Sequence, residues 1–280
     1  MGWRLLLVPV IALAVVGIEF GLYYGGRYTP PPYPRPRVER LVLPVHSIPQ
    51  APAEPTPSRR GTALVDTAHR NDYEREEVQV LLERIAARGF RLEFLGPVDP
   101  QAFGFRGGLD PETRARDLEE KLRFTDAFLT LVPAEPYTPK EVELLKRFVR
   151  KGGKVLLIGD PVRGDGANNR LAPSFGVTFG PDYLYNLKRN EGNFQNIFYT
   201  RFTPDPLTLG LQRVTFFLSG PVEGGGTPLI TADDDTFSST RERPERLSPM
   251  RKDATGRVLA IGDLTFLGEP YNSVTDNDRL

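Results

Sequence analysis

Three aspartates in this 280-residue chain each follow a short apolar run that reads as a buried strand: Asp66 after TALV, Asp160 after KVLLIG and Asp263 after RVLAIG. If those strands are parallel neighbours, the three carboxylates emerge at one rim of a sheet, the place where open α/β sheets bind ligands. Polar residues follow each of them: His69, Asn71 and Asp72 after the first, Asn168, Asn169 and Arg170 after the second, Glu269, Tyr271 and Asn272 after the third. Carboxylates with a histidine nearby suit a divalent metal ion or an acid/base pair. The same residue types also close turns and cap helices, because short polar side chains satisfy local backbone donors.

Other chemistry is narrower. The chain has no cysteine, so a thiol nucleophile and a disulfide framework are both excluded. No serine elbow of the GxSxG kind, no P-loop and no GxGxxG follows a predicted strand, so no cofactor is expected. Asp233, Asp234 and Asp235 offer three successive acids for a cation, or a solvated loop. Phe179, Tyr183, Tyr185, Phe194, Phe198 and Tyr199 suit stacking on a sugar, meeting a partner, or filling a core. Basic and acidic residues balance at 36 each and no long basic stretch occurs, which excludes a nucleic-acid footprint.

The elements that hold these residues are legible from spacing. Between Tyr73 and Arg88, Val78, Leu81, Leu82 and Ile85 recur on one helical face, with Gly89 as terminator and Asn71–Glu74 resembling a capping box. RLEFL over 91–95 and AFLTLV over 127–132 read as strands, with a charged helix from Asp110 to Arg123 between them. Thr138-Pro139-Lys140-Glu141 is an N-cap, a first-turn proline and a third-position acid, and Val142, Leu145, Phe148 and Val149 line the helix that Gly152-Gly153 ends. KVLLIGDP and RVLAIGD then supply two similar strands. This alternation predicts right-handed crossovers and a doubly wound, mostly parallel α/β sheet. From Gly176 to Asp235 helical periodicity is missing, and short strands and loops beside the sheet are expected.

Ahead of this domain lies a different sequence. Leu5 to Tyr24 is almost unbroken apolar, enough for a helix to span a bilayer core. Pro9 and Glu19 interrupt it, the Tyr pair suits an interface, and no small-residue cleavage site follows. The expected organisation is a transmembrane signal-anchor helix over 1–28, a Pro-rich linker over 29–60 with a short edge strand over 38–45, and an α/β domain over 61–280; a cleaved signal peptide is the alternative for the leader. Arg27, Arg35, Arg37 and Arg40 outnumber Arg4, which favours an inside placement of the following segment, whereas an apolar leader before a large domain favours export. The domain is expected outside the cell membrane.

The stretches 63–90, 129–161 with 168–179, and 257–279 resemble a prokaryotic family of membrane-anchored proteins of unknown function with a class I glutamine-amidotransferase-like fold, related to the auxiliary domain of gliding-motility-type ABC transporters. The resemblance implies a flavodoxin-like sheet and a helix after the last strand, where this sequence has Asn277-Asp278-Arg279-Leu280. Active members of that fold carry a cysteine on a sharp turn and a late His–Glu pair. The matching turn here is Gly159-Asp160-Pro161, and neither His46 nor His69 lies late in the chain. The resemblance therefore implies a catalytically silent, membrane-tethered module that binds a ligand or an envelope protein partner, as an accessory of an ABC-type transporter or envelope assembly. Asp66, His69, Asn71, Asp160, Asn169 and Asp263 are its candidate binding residues. The alternative is a metal-assisted hydrolase or carbohydrate-processing enzyme in which Asp66, His69, Asp160 and Asp263 hold a divalent ion. A third reading makes the domain a spacer with 179–199 as its contact face.

Overall fold

Apolar runs alternating with amphipathic helices build one eight-stranded sheet with helices on both faces. The computed structural model describes residues 3–25, 60–96, 109–241 and 246–280. The linker expected over 29–60, apart from Arg60, lies outside the described residues, as do the strand expected over 38–45 and His46. The chain divides into two compact units, Met1–Ala53 and Glu54–Leu280.

In the first unit, α1 runs from Trp3 to Tyr24 with Pro9 inside it. Its apolar side chains are exposed on every side, Val8 at 68%, Leu13 at 72% and Phe20 at 64%. No helix among the described residues is long and apolar enough to cross a membrane; the described side chains of α1 run from Leu7 to Tyr23. The expectation of a transmembrane helix is therefore corrected to a coarser finding, a 22-residue helix with an uncovered apolar surface.

The second unit begins β1 Gly61–Asp66, α2 Arg75–Ala87, β2 Phe90–Leu95, α3 Pro111–Lys121, β3 Ala127–Leu131, α4 Pro139–Arg150 and β4 Lys154–Ile158. Short strands follow: β5 Val177–Phe179, β6 Leu184–Asn186, β7 Asn196–Tyr199, β8 Arg201–Phe202, β9 Val214–Phe217, β10 Val222–Gly224, β11 Thr227–Thr231 and β12 Thr236–Ser238. The chain then re-enters the sheet with β13 Met250–Lys252 and β14 Val258–Ile261. The sheet order is β2-β1-β3-β4-β14-β13-β11-β8. The first five strands are parallel and the last three antiparallel. The parallel part has the 2-1-3-4 order of flavodoxin-like sheets, with β14 in the fifth place.

Strand alternation sorts the core into two layers. Val65, Leu131, Ile158 and Ile261 face Val78 and Leu82 of α2 together with Leu184, Ile197, Tyr199 and Phe216 from the excursion between β4 and β14. Leu64, Phe128, Val155, Leu157 and Ala260 face Leu118 of α3 and Leu144, Leu145, Phe148 and Val149 of α4. The crossover from β4 to β14 is made by that excursion of short strands and loops, as expected for this stretch, and it brings its own apolar side chains to the α2 face. After β14 the chain has only single 3-10 turns, Thr265–Leu267, Tyr271–Ser273 and Asn277–Arg279. Asn277 pins them, accepting from Thr215 N at 2.8 Å and donating to Thr215 O at 2.7 Å and Tyr271 O at 3.0 Å.

Helix starts follow the capping logic with one correction. Thr138 and Glu141 form the expected reciprocal pair at α4, and Asp110 accepts from Glu112 N and Thr113 N at α3. At α2 the acid that reaches back is Glu77, which accepts from Glu74 N at 2.8 Å. The expected Asn71–Glu74 pair lies one turn too early, because Asn71 is used elsewhere.

Candidate functional site

The topology does bring the carboxyl ends of β1, β3, β4 and β14 to one edge, yet it separates the residues found there. Asp66 follows Leu64 onto the α3–α4 face and lies 0% exposed. Its Oδ1 accepts from Ala68 N at 3.1 Å and meets His69 Nδ1 at 2.9 Å; its Oδ2 accepts from the hydroxyls of Thr130 and Tyr137. The His69 ring stacks on Tyr137 with centroids 3.8 Å apart, and its Nε2 lies 3.4 Å from Glu141 Oε1. Glu141 also accepts from Arg114 Nε at 2.7 Å, and Arg114 reaches Glu135 at 2.8 Å.

Burial works against every charge in this network, and the neighbours outweigh it. Desolvation alone would raise the Asp66 carboxyl; the His69 charge and the hydrogen bonds from His69 and Tyr137 leave it lowered. Desolvation alone would lower His69, but Asp66 and Glu141 leave it raised, its two ring nitrogens each facing one carboxylate. Glu141, likewise, sits at about 2 despite its burial, through His69 and Arg114. These groups are sealed from solvent. They tie the loop after β1 to α3 and α4.

Asp160 and Asp263 belong to the other face. Asp160 is half-buried and lines a cleft of about 310 Å³ with Val132, Arg163, Asn168, Asn169 and Gly262. Burial raises its carboxyl, against the Val162 N–H that its Oδ1 accepts at 2.9 Å and against the Arg163 charge. Arg163 in turn holds Glu77 of α2 at 2.8 Å. Asn168 donates to Ile158 O at 2.8 Å, while its Oδ1 is buried with no hydrogen-bond partner. An unmet acceptor in a cleft wall is where a ligand's donor gains most. Beneath lies Asp263, 0% exposed, accepting from Phe217 N and Thr265 N at 2.7 Å each; burial pushes its carboxyl up to about 8.

Backbones converge to shape this cleft. A Cβ on Gly159 would sit 2.6 Å from the Phe179 ring, and one on Gly262 would sit 2.1 Å from Gly220 O. Beside the cleft the backbone turns left-handed at Val132, directly after β3, with φ at 42°, a rare conformation for a β-branched residue.

The remaining candidates are structural. Asn71 is buried and donates to Leu131 O at 2.8 Å. Asn169 clamps Phe179, donating to its O at 2.8 Å and accepting from its N at 2.9 Å. Asn169→Ala should therefore cost about 1–3 kcal/mol in urea unfolding, since two backbone groups lose their partner; a cost below about 0.5 kcal/mol would show that the clamp does not hold β5. The acids at 233–235 are each bound locally: Asp233 accepts from Asn186 and Thr236, Asp234 pairs with Arg201 and Asp235 with Lys188. Of the aromatic stretch, Tyr199 packs on Phe216 in the core, whereas Tyr185 contacts Phe194 and Phe237 nearer the surface.

Among the described residues no three His, Cys, Asp or Glu side chains are grouped to hold a metal ion. The four-residue metal site considered from sequence does not assemble, because Asp66 and His69 lie across the sheet from Asp160 and Asp263. Sequence reasoning missed Arg114, Tyr137 and Arg163, and it read Glu141 only as a cap. The signal at Arg114 was faint: a basic residue in a charged helix that proves to be buried.

No protein-family model and no curated protein matches the chain. Among solved structures, the N-terminal domain of mmIFT52 superposes with a TM-score of 0.57 over 78% of this chain and 92% of that one, at 14% identity. A ThuA-like protein from Parabacteroides merdae aligns with a TM-score of 0.40 over 71% of this chain and 77% of that one, also at 14% identity. The first likeness establishes a shared fold.

Proposed function

We propose that this chain is a non-catalytic, membrane-tethered module that binds a ligand or protein partner in the cleft beyond β3, β4 and β14. The observation that carries the reading is the cleft's wall: Asp160, Arg163 and Asn168 line about 310 Å³ of open space, and Asn168 Oδ1 is buried without a hydrogen-bond partner. The turn after β3 holds the hydrocarbon side chain of Val132, and His69, with Asp66 and Glu141 beside it, is sealed. The strand order and the absence of a thiol support the finer reading of a silent relative of class I glutamine amidotransferases, serving an ABC-type transporter or envelope assembly.

The tether is α1. Its described apolar side chains, from Leu7 to Tyr23, are exposed and need a hydrocarbon or protein environment. The folded unit would then lie on the extracytoplasmic side.

The test is pull-down of partners from solubilised membranes with the full chain. Asp160→Asn, which keeps an oxygen for Val162 N and removes the charge, should reduce capture at least about tenfold, the equivalent of one lost charge-assisted hydrogen bond, with the unfolding midpoint little changed. Unaltered capture means the cleft is not the binding site, and reproducible turnover of any substrate overturns the non-catalytic reading.

A further inference from the structure

At the opposite edge of the sheet, the amino ends of β1, β3 and β4 and the last turns of α3 and α4 enclose a larger groove, about 720 Å³. Five basic side chains line it, Arg60, Arg123, Arg147, Lys151 and Lys154, against two acids, Glu119 and Asp126. Both acids are occupied. Asp126 accepts from Thr62 N at 2.8 Å, and Glu119 lies 4.0 Å from Arg147. Arg60, Arg123, Lys151 and Lys154 are exposed and pair with no carboxylate among the described residues.

Helix ends explain only part of this charge. Basic residues in the last turn of α4 answer its unsatisfied carbonyls, but Arg60 and Lys154 sit at strand starts, where no such duty exists. Beside Arg123, on the loop between α3 and β3, Phe124 is 74% exposed. Cations next to an uncovered aromatic ring match a membrane interface, where phosphates meet the cations and the ring enters the headgroup layer.

We infer that this groove docks on the anionic phospholipid headgroups of the membrane that holds α1. The inference rests on the tether reading above. Each basic residue near an anionic surface strengthens such contact about fivefold, and a tether makes a weak contact effective by holding it at high local concentration. The contact is screened by salt.

The experiment uses the full chain with vesicles of phosphatidylcholine alone and vesicles enriched in phosphatidylglycerol, read by flotation and by amide hydrogen exchange. The chain should float with both, through α1. Exchange over 122–126 and 150–154 should slow about tenfold only on the anionic vesicles. Raised salt should abolish the effect, and so should Arg123→Glu with Lys151→Glu, or Phe124→Ser, with β3 exchange unchanged as the folding control. Flotation without composition-dependent protection overturns the docking and leaves the tether intact. Protection by inorganic phosphate on neutral vesicles also overturns it, making the groove a simple anion site. Failure to float with neutral vesicles removes the tether and the docking with it.

Discussion

Replacing Glu141 by alanine should destabilise the α/β unit by about 3–5 kcal/mol, the cost of leaving buried charge without its partner. Glu141 caps α4 through Thr138, accepts from Arg114 and faces His69, so its removal strands a guanidinium and an imidazolium that have little water to turn to. Glu135, the other acid on Arg114, is 34% exposed; Glu135→Ala should cost less than about 1 kcal/mol. The pH dependence carries a second signature. Glu141 and Asp66 have carboxyls held below their unfolded values, so their contribution is present above about pH 4 and is lost as pH falls. His69 is raised, so its contribution is complete below its ordinary 6.5 and is lost as pH climbs through the folded value. In urea unfolding, the Glu141→Ala chain should lose the share of the acid limb that Glu141 supplies between its unfolded value of 4.5 and about 2. A cost near that of Glu135→Ala, or an unaltered acid limb, would mean the network does not hold α3 and α4 to β1.

Asp263→Asn should change the slope of stability with pH more than its level. Burial raises the Asp263 carboxyl from 3.8 to about 8, so between those values the unfolded chain has released a proton that the folded chain keeps. Rising pH then favours unfolding by about 1.4 kcal/mol per unit for this one group. Asparagine cannot titrate. It also turns an amide toward one of the two backbone N–H groups that the carboxyl accepts, so the variant starts lower in mild acid. The stability gap between wild type and variant should therefore close, and then reverse, as urea melts are repeated from pH 5 to pH 8. Parallel stability curves would show that Asp263 is ionised throughout.

The two carboxyl groups teach how far a sequence speaks for itself. Thr138-Pro139-Lys140-Glu141 announced the start of α4, because capping is a local matter of three or four residues. The strands over 61–66, 127–131, 154–158 and 258–261 were legible for a similar reason, as short apolar runs between turn residues. The side to which a carboxylate turns after its strand ends was not legible, because alternation stops there and loop backbone decides. Asp66 finds Tyr137, 71 residues on, and Asn71 finds Leu131, 60 residues on; no spacing rule reaches that far. The same distance hid Asn277, which reads as one more polar residue near the end and proves to bridge the last turns to β9. The excursion between β4 and β14 was recognised as lacking helical period, but nothing local said that its apolar side chains would supply core on the α2 face.

A sheet whose five leading strands all run the same way has two unlike poles. The starts of those five strands and the C-terminal ends of α2, α3 and α4 gather at one, and the ends of the strands and the cleft gather at the other. Whatever holds the first pole leaves the second free, since the length of the strands keeps the two apart. A unit built this way can stay seated on a surface while its receptive end turns toward the medium, with no hinge required between holding and receiving.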